Sequence, residues 1–139
     1  MKNFLMLVLF VASALLLTIS AQAQLIIANP SVKAPDISKS DLRDVFTGST
    51  SSLKDGSHVI PALLKSGAAN DEFLAAFIGK SDSAFKASWR SLVFSGQATM
   101  PKTIDSEAAM IEFIAHTPGA IGYISKTTPH EGVKVLAVR

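Results

Sequence analysis

The chain predicts an α/β layered domain with a mostly parallel sheet of about four strands and about four helices. Three observations carry that prediction. Val59, Ile60, Ala62, Leu63 and Leu64 form an almost unbroken apolar run, the pattern of a strand buried on both faces. Phe73, Leu74, Phe77 and Ile78 follow at helical spacing, so a helix comes directly after that strand. Further strand-like and helix-like stretches then alternate to the end of the chain.

Of the 139 residues, 48% are hydrophobic, which implies one domain with room for a core. Part of that hydrophobicity is expected to lie outside the fold. Lys2 gives a short basic start, and Leu5 to Ile19 is apolar apart from Ser13 and Thr18. Ala21-Gln22-Ala23 then has the small-x-small form of a cleavage site. Residues 1–23 are therefore expected to be a signal peptide, and 24–139 a single exported domain beginning at Gln24. The rival, a membrane anchor, would need about 20 apolar residues, and this run is shorter. The chain has no cysteine, which excludes a lipoprotein anchor and a disulfide framework. The expected location is the periplasm, with secretion as the alternative, and no membrane span remains after cleavage. There are 13 basic and 11 acidic side chains, and loss of Lys2 leaves an excess of one. With no basic run or arginine patch, nothing points to nucleic acid.

In chain order, Leu25 to Ala28 reads as a first short strand, ended by Asn29-Pro30. Ser38 with Asp41 resembles a capping box, and Leu42, Val45 and Phe46 give the following helix one apolar face, closed by Gly48. Gly48 to Gly56 is a Ser/Thr-rich loop leading into the Val59 strand. After the helix that follows it, Gly79-Lys80 breaks the pattern and Ser81 can cap another helix, whose apolar stripe is Phe85, Trp89, Leu92 and Val93. Met100-Pro101 marks a turn. Asp105 is a plausible N-cap for a fourth helix with Met110, Phe113 and Ile114 inward. Pro118-Gly119 ends it. Ile121, Tyr123 and Ile124 read as a strand, and Val133, Val135, Leu136 and Val138 as the last. The short polar link between these two, with Pro129 and Gly132, predicts that they pair antiparallel.

The candidate site is the turn between the Val59 strand and its helix. Lys65, Ser66 and Gly67 break the apolar run, and Asn70, Asp71 and Glu72 carry helix-start signals. Such a turn aims free backbone N–H groups and the positive end of a helix dipole at one point, which suits an anion. The candidate anion-binding residues are thus Lys65, Ser66, Gly67, Ala68 and Ala69. The alternative is an ordinary strand-to-helix turn with a solvated lysine.

Other chemistry is poorly supported. Ser51-Ser52-Leu53-Lys54 and Ser83-Ala84-Phe85-Lys86 fit a serine-x-x-lysine spacing, but the two further motifs that would make it catalytic are missing. His58, His116 and His130 are far apart, with no metal-ligand spacing, so neither a metal nor another cofactor is expected. His116 is better placed to interact with a helix C-terminus. Asp71-Glu72 reads as a helix start, and Glu107 with Glu112 as a solvated face. No catalytic residues are assigned, and an enzyme is not expected.

Three segments together resemble a known family. Ile37 to Gly48 (ISKSDLRDVFTG), Trp89 to Pro101 (WRSLVFSGQATMP) and Pro118 to Ile124 (PGAIGYI) resemble, in order and spacing, motifs of periplasmic phosphate-binding proteins and their short relatives. The resemblance implies a type 2 periplasmic-binding fold, of which this chain is long enough for a single lobe. It also implies an exported solute-binding module taking phosphate or a similar small oxyanion for an ABC permease. The alternative is a structural or interaction protein that keeps the lobe and uses its former cleft face to hold a partner or a second copy of itself. The family's anion motif is an arginine followed by serine-glycine-threonine at a helix start. Ser66 and Gly67 match, Ala68 stands in the threonine's place, and the arginine's place falls at about Ala62.

Overall fold

A computed structural model describes residues 24–139 of the chain. The expected signal peptide, residues 1–23, lies outside the described residues. The elements are β1 (Gln24–Ala28), β2 (Asp36–Ile37), α1 (Lys39–Phe46), β3 (Ile60–Leu64), α2 (Ala68–Phe73), α3 (Asp82–Phe94), β4 (Lys102–Ile104), α4 (Glu107–His116), β5 (Ala120–Ser125) and β6 (Lys134–Val138). Helix α2 continues without a break into a π-helical turn over Leu74–Ile78, which ends where Gly79 turns left-handed and its N–H bonds Leu74 O at 2.7 Å.

The strands form one six-stranded sheet in the order β2-β6-β1-β5-β3-β4. β3 runs parallel to both β4 and β5, and β2 parallel to β6, whereas β1 is antiparallel to its neighbours β5 and β6. The α/β class holds, with three parallel pairings and two antiparallel. Two expectations are corrected. The sheet has six strands rather than about four, because β2 and β4 are edge strands of two and three residues without an apolar run. The last two strands do not pair with each other, because β1 lies between β5 and β6 and bonds both.

β5 forms the centre of the sheet, buried from Ala120 to Ile124. Adjacent residues on it point to opposite faces. Gly122 faces α4, where a Cβ would come within 2.7 Å of Met110 Sδ, so glycine here lets the helix pack directly on the strand. Tyr123 faces the other way, stacked on Phe73 of α2 with centroids 3.7 Å apart and beside Phe46 of α1. The domain therefore has three layers, with α4 on one side of the sheet and α1 and α2 on the other. α3 packs against the end of α1, where the Trp89 indole N–H donates to Phe46 O at 2.9 Å. Its expected apolar stripe is only partly inward. Phe85 and Trp89 are buried and Leu92 is partly covered, but Val93 is exposed. On α4, Met110 and Ile114 are buried and Phe113 is only partly so.

Ser38 and Ser81 cap α1 and α3 as expected, accepting from the N–H groups of Asp41 and Ala84. The cap of α4 is Ser106, one residue after the expected Asp105. Serine supplies there the side-chain oxygen that reaches Ala109 N, at 3.1 Å.

Candidate functional site: the turn between β3 and α2

β3, β4 and β5 are mutually parallel, so their C-terminal ends lie on one edge of the domain. Three loops leave that edge: Lys65–Gly67 into α2, Asp105–Ser106 into α4, and the segment after Ser125. Of the sequence-predicted site residues, Lys65, Ser66 and Gly67 lie on the first of these, and Ala68 and Ala69 open the helix that follows it. Lys65, Ser66, Gly67 and Ala68 are exposed and Ala69 is half-buried. The helix begins at Ala68 with Gly67 as its N-cap, and Asn70 and Asp71 fall in its first turn, as expected.

The local chemistry of this turn follows from Gly67. Its backbone sits at φ 155° and ψ 178°, a region essentially reserved for glycine. Having no side chain, Gly67 offers no cap, and Ser66 does not reach forward to provide one. The Gly67 carbonyl accepts from Asp71 N at 2.9 Å, the first intrahelical bond. The N–H groups of Ser66, Gly67, Ala68, Ala69 and Asn70 find no hydrogen-bond partner among the described residues. Donors left free in this way lie at the positive end of the helix dipole.

Lys65 contributes differently from its neighbours. Its backbone N–H is used in the sheet, donating to Ile104 O at 2.8 Å. Its ammonium lies 3.9 Å from Asp105 Oδ1, with both side chains well exposed. That is a loose surface pair of small energetic weight, which leaves the ammonium available as a mobile point charge. The position where the resemblance places an arginine, Ala62, is fully buried in the middle of β3, so no long side chain reaches the turn from there.

Beneath the turn lies a polar network that the sequence did not announce. Tyr123 Oη accepts from Leu64 N at 3.0 Å and donates to Asn70 Oδ1 at 2.6 Å. Asn70 Nδ2 donates to Asp82 Oδ1 at 2.9 Å, and Lys86 Nζ pairs with Asp82 Oδ2 at 2.8 Å. Burial pushes the Tyr123 phenol well above its usual pKa. The Leu64 N–H opposes that rise and the Asp82 carboxylate adds to it. Two cues were present in the sequence: a tyrosine in an aliphatic strand, and an asparagine just inside a helix. Each needs a buried partner.

Glu107, expected on a solvated face, instead takes the Ser125 N–H, and Glu72 accepts from Gln24 Nε2 at 2.6 Å. These carboxylates are engaged at the same edge of the sheet but do not touch the turn. The large apolar side chains that are exposed, Ile60, Val93, Phe94, Met100 and Val135, lie elsewhere. Ile60 and Met100 line a groove of about 650 Å³ at the opposite, N-terminal end of β3. His116 and His130 each donate a ring N–H to a backbone carbonyl, of Glu112 and Thr128 respectively.

No protein-family model matches the chain, and no curated protein matches it by sequence. Solved structures do match it in fold. A protein from Clostridium perfringens described as a phosphate ABC transporter substrate-binding protein, with bound phosphate, superposes with a TM-score of 0.64 at 16% identity, over 84% of this chain and 44% of that one. An ABC-type phosphate transport receptor from Vibrio cholerae gives 0.56 at 14% identity, over 84% and 46%. PstS from Borrelia burgdorferi gives 0.57 at 18% identity, over 84% and 47%. These neighbours are transport proteins rather than enzymes. The chain spans less than half the length of each, and it has the fold of one lobe-sized part of a phosphate-transport substrate-binding protein.

Proposed function

We propose that the chain is an exported binding module that takes phosphate or a similar small oxyanion at the turn Ser66–Ala69, with Lys65 as an auxiliary charge, and hands it to an ABC permease. The observation that carries this reading is the uncapped start of α2. Its N–H groups are left without partners among the described residues, whereas α1, α3 and α4 are each closed by a serine. The surroundings support it, because no exposed large hydrophobic lies on the turn. The fold supports it too, through the solved phosphate-transport proteins it resembles.

Without an arginine fork, and with Lys65 to Ala68 exposed, the site is open to water and its affinity is modest. The expected dissociation constant is nearer ~1 mM than ~1 μM, a difference of about 4 kcal/mol. Calorimetric titration of phosphate into the protein spanning residues 24–139 tests this. Saturable binding that weakens as salt is added supports the reading, and absence of binding at millimolar phosphate removes it. A second reading, an interaction module without an anion, draws on Phe94, which is 95% exposed, and on the groove lined by Ile60 and Met100. It becomes the better account if phosphate does not bind.

A further inference from the structure

We infer that the Tyr123 hydroxyl is a clamp that sets the shape of the anion-binding turn, so that Tyr123 and Asn70 act as positioning residues for the site. The inference rests on the proposed oxyanion reading for its functional consequence, and on geometry alone for the clamp. The ladder between β3 and β5 pairs Ile60 with Ala120 and Pro61 with Ile121, and goes no further. Beyond that point a side chain replaces the backbone partner. Leu64, the last residue of β3, gives its N–H to Tyr123 Oη at 3.0 Å. The same oxygen donates its proton to Asn70 Oδ1 at 2.6 Å.

Leu64 and Asn70 are the two residues that bracket Lys65–Ala69. One buried oxygen therefore holds both ends of the candidate turn. Asn70 is only 3% exposed, and its amide passes the constraint on to Asp82 at the start of α3. The phenol ring cannot swing away, because it is fully buried and stacked at 5° on Phe73, within the same helical segment as Asn70. The hydroxyl keeps its proton across the neutral range, so the donor to Asn70 is always present. Held in this way, the free N–H groups between Ser66 and Asn70 are fixed before a ligand arrives, which removes an ordering cost from binding. In the segment Pro118 to Ile124, the tyrosine thus serves the turn as well as the core.

The test replaces Tyr123→Phe, which preserves ring and stack and removes only the hydroxyl, with Asn70→Ala as the second variant. Backbone relaxation by NMR is measured across the chain, and inorganic phosphate is titrated into each protein. A clamp predicts that order parameters at residues 66–69 fall from about 0.85 to below about 0.6, while β1 and α4 stay unchanged. It also predicts that phosphate affinity falls about tenfold in either variant, and that the double variant is no worse than the single ones. Unchanged order at the turn in Tyr123→Phe overturns the inference. So does unchanged phosphate affinity in a variant when the parent protein binds. If the parent does not bind phosphate, the oxyanion reading fails, and the clamp is judged by the order parameters alone. If Tyr123→Phe does not fold, Asn70→Ala gives the same two readouts.

Discussion

Two neighbouring turns, one leading from β3 into α2 and the other from β4 into α4, start from the same topology and end differently. Both follow parallel strands of one sheet and leave at the same edge, and Lys65 of one faces Asp105 of the other across 3.9 Å. At α4, Ser106 closes the helix start, and Glu107 in the first turn takes a strand N–H. At α2, the serine sits one residue too early and glycine occupies the capping position, so the donors stay unsatisfied. A one-residue difference in where serine falls separates a capped helix start from one whose donors stay free, the feature on which the proposed anion site rests. What α2 gives up in capping is recovered underneath, through the buried tyrosine and asparagine.

The contrast can be broken first from below. Phe73→Ala removes the ring on which Tyr123 stacks and against which Phe46 packs edge-on. It is expected to cost about 3–5 kcal/mol in denaturant unfolding, as large-to-small core changes do. Gly67→Val comes next. A Cβ there meets nothing closer than Lys65 O at 4.0 Å, so its cost of about 1–3 kcal/mol is backbone strain rather than collision. The displaced N–H groups should also abolish phosphate binding, which is read by titrating the variant.

Alkaline pH separates the two turns in a different way. Tyr123 is the only tyrosine in the chain, and its phenol is raised in the folded protein. Because the folded protein holds this proton more tightly than the unfolded chain, stability from the neutral phenol is complete below the unfolded value of about 10. It is lost as pH rises above that value toward the folded one. The parent should therefore lose more stability than Tyr123→Phe on raising pH through that range, and equal losses would count against the buried hydroxyl.

The sequence made the caps at Ser38 and Ser81 and the aromatic faces of α1 and α2 legible, because capping and helical spacing are local signals. Lys65 to Gly67 was recognisable as a turn for the same reason. β2 and β4 were missed because Asp36-Ile37 and Lys102-Thr103-Ile104 are too short to show a period. The insertion of β1 between β5 and β6 was missed because it joins the two ends of the described chain, and no local pattern encodes such a pairing. The Leu64–Tyr123–Asn70 network was hidden for that reason too, since its members are 59 and 53 residues apart.

Capping itself provides a smaller test. Ser106→Ala should cost about 1 kcal/mol, the usual effect of losing a serine cap. Ser66→Ala, which caps nothing, should stay within about 0.5 kcal/mol of the parent while weakening phosphate binding. Lys65→Ala is the mildest change, expected to weaken phosphate binding without abolishing it and to flatten its salt dependence.

Amide-resolved NMR during a phosphate titration tests the central claim most directly, because it reads the donors themselves. The two-turn account predicts saturable shifts confined to the N–H groups of residues 66–70, with the capped start of α4 at Ala109 unmoved. Shifts centred elsewhere, or none at millimolar phosphate, would contradict it.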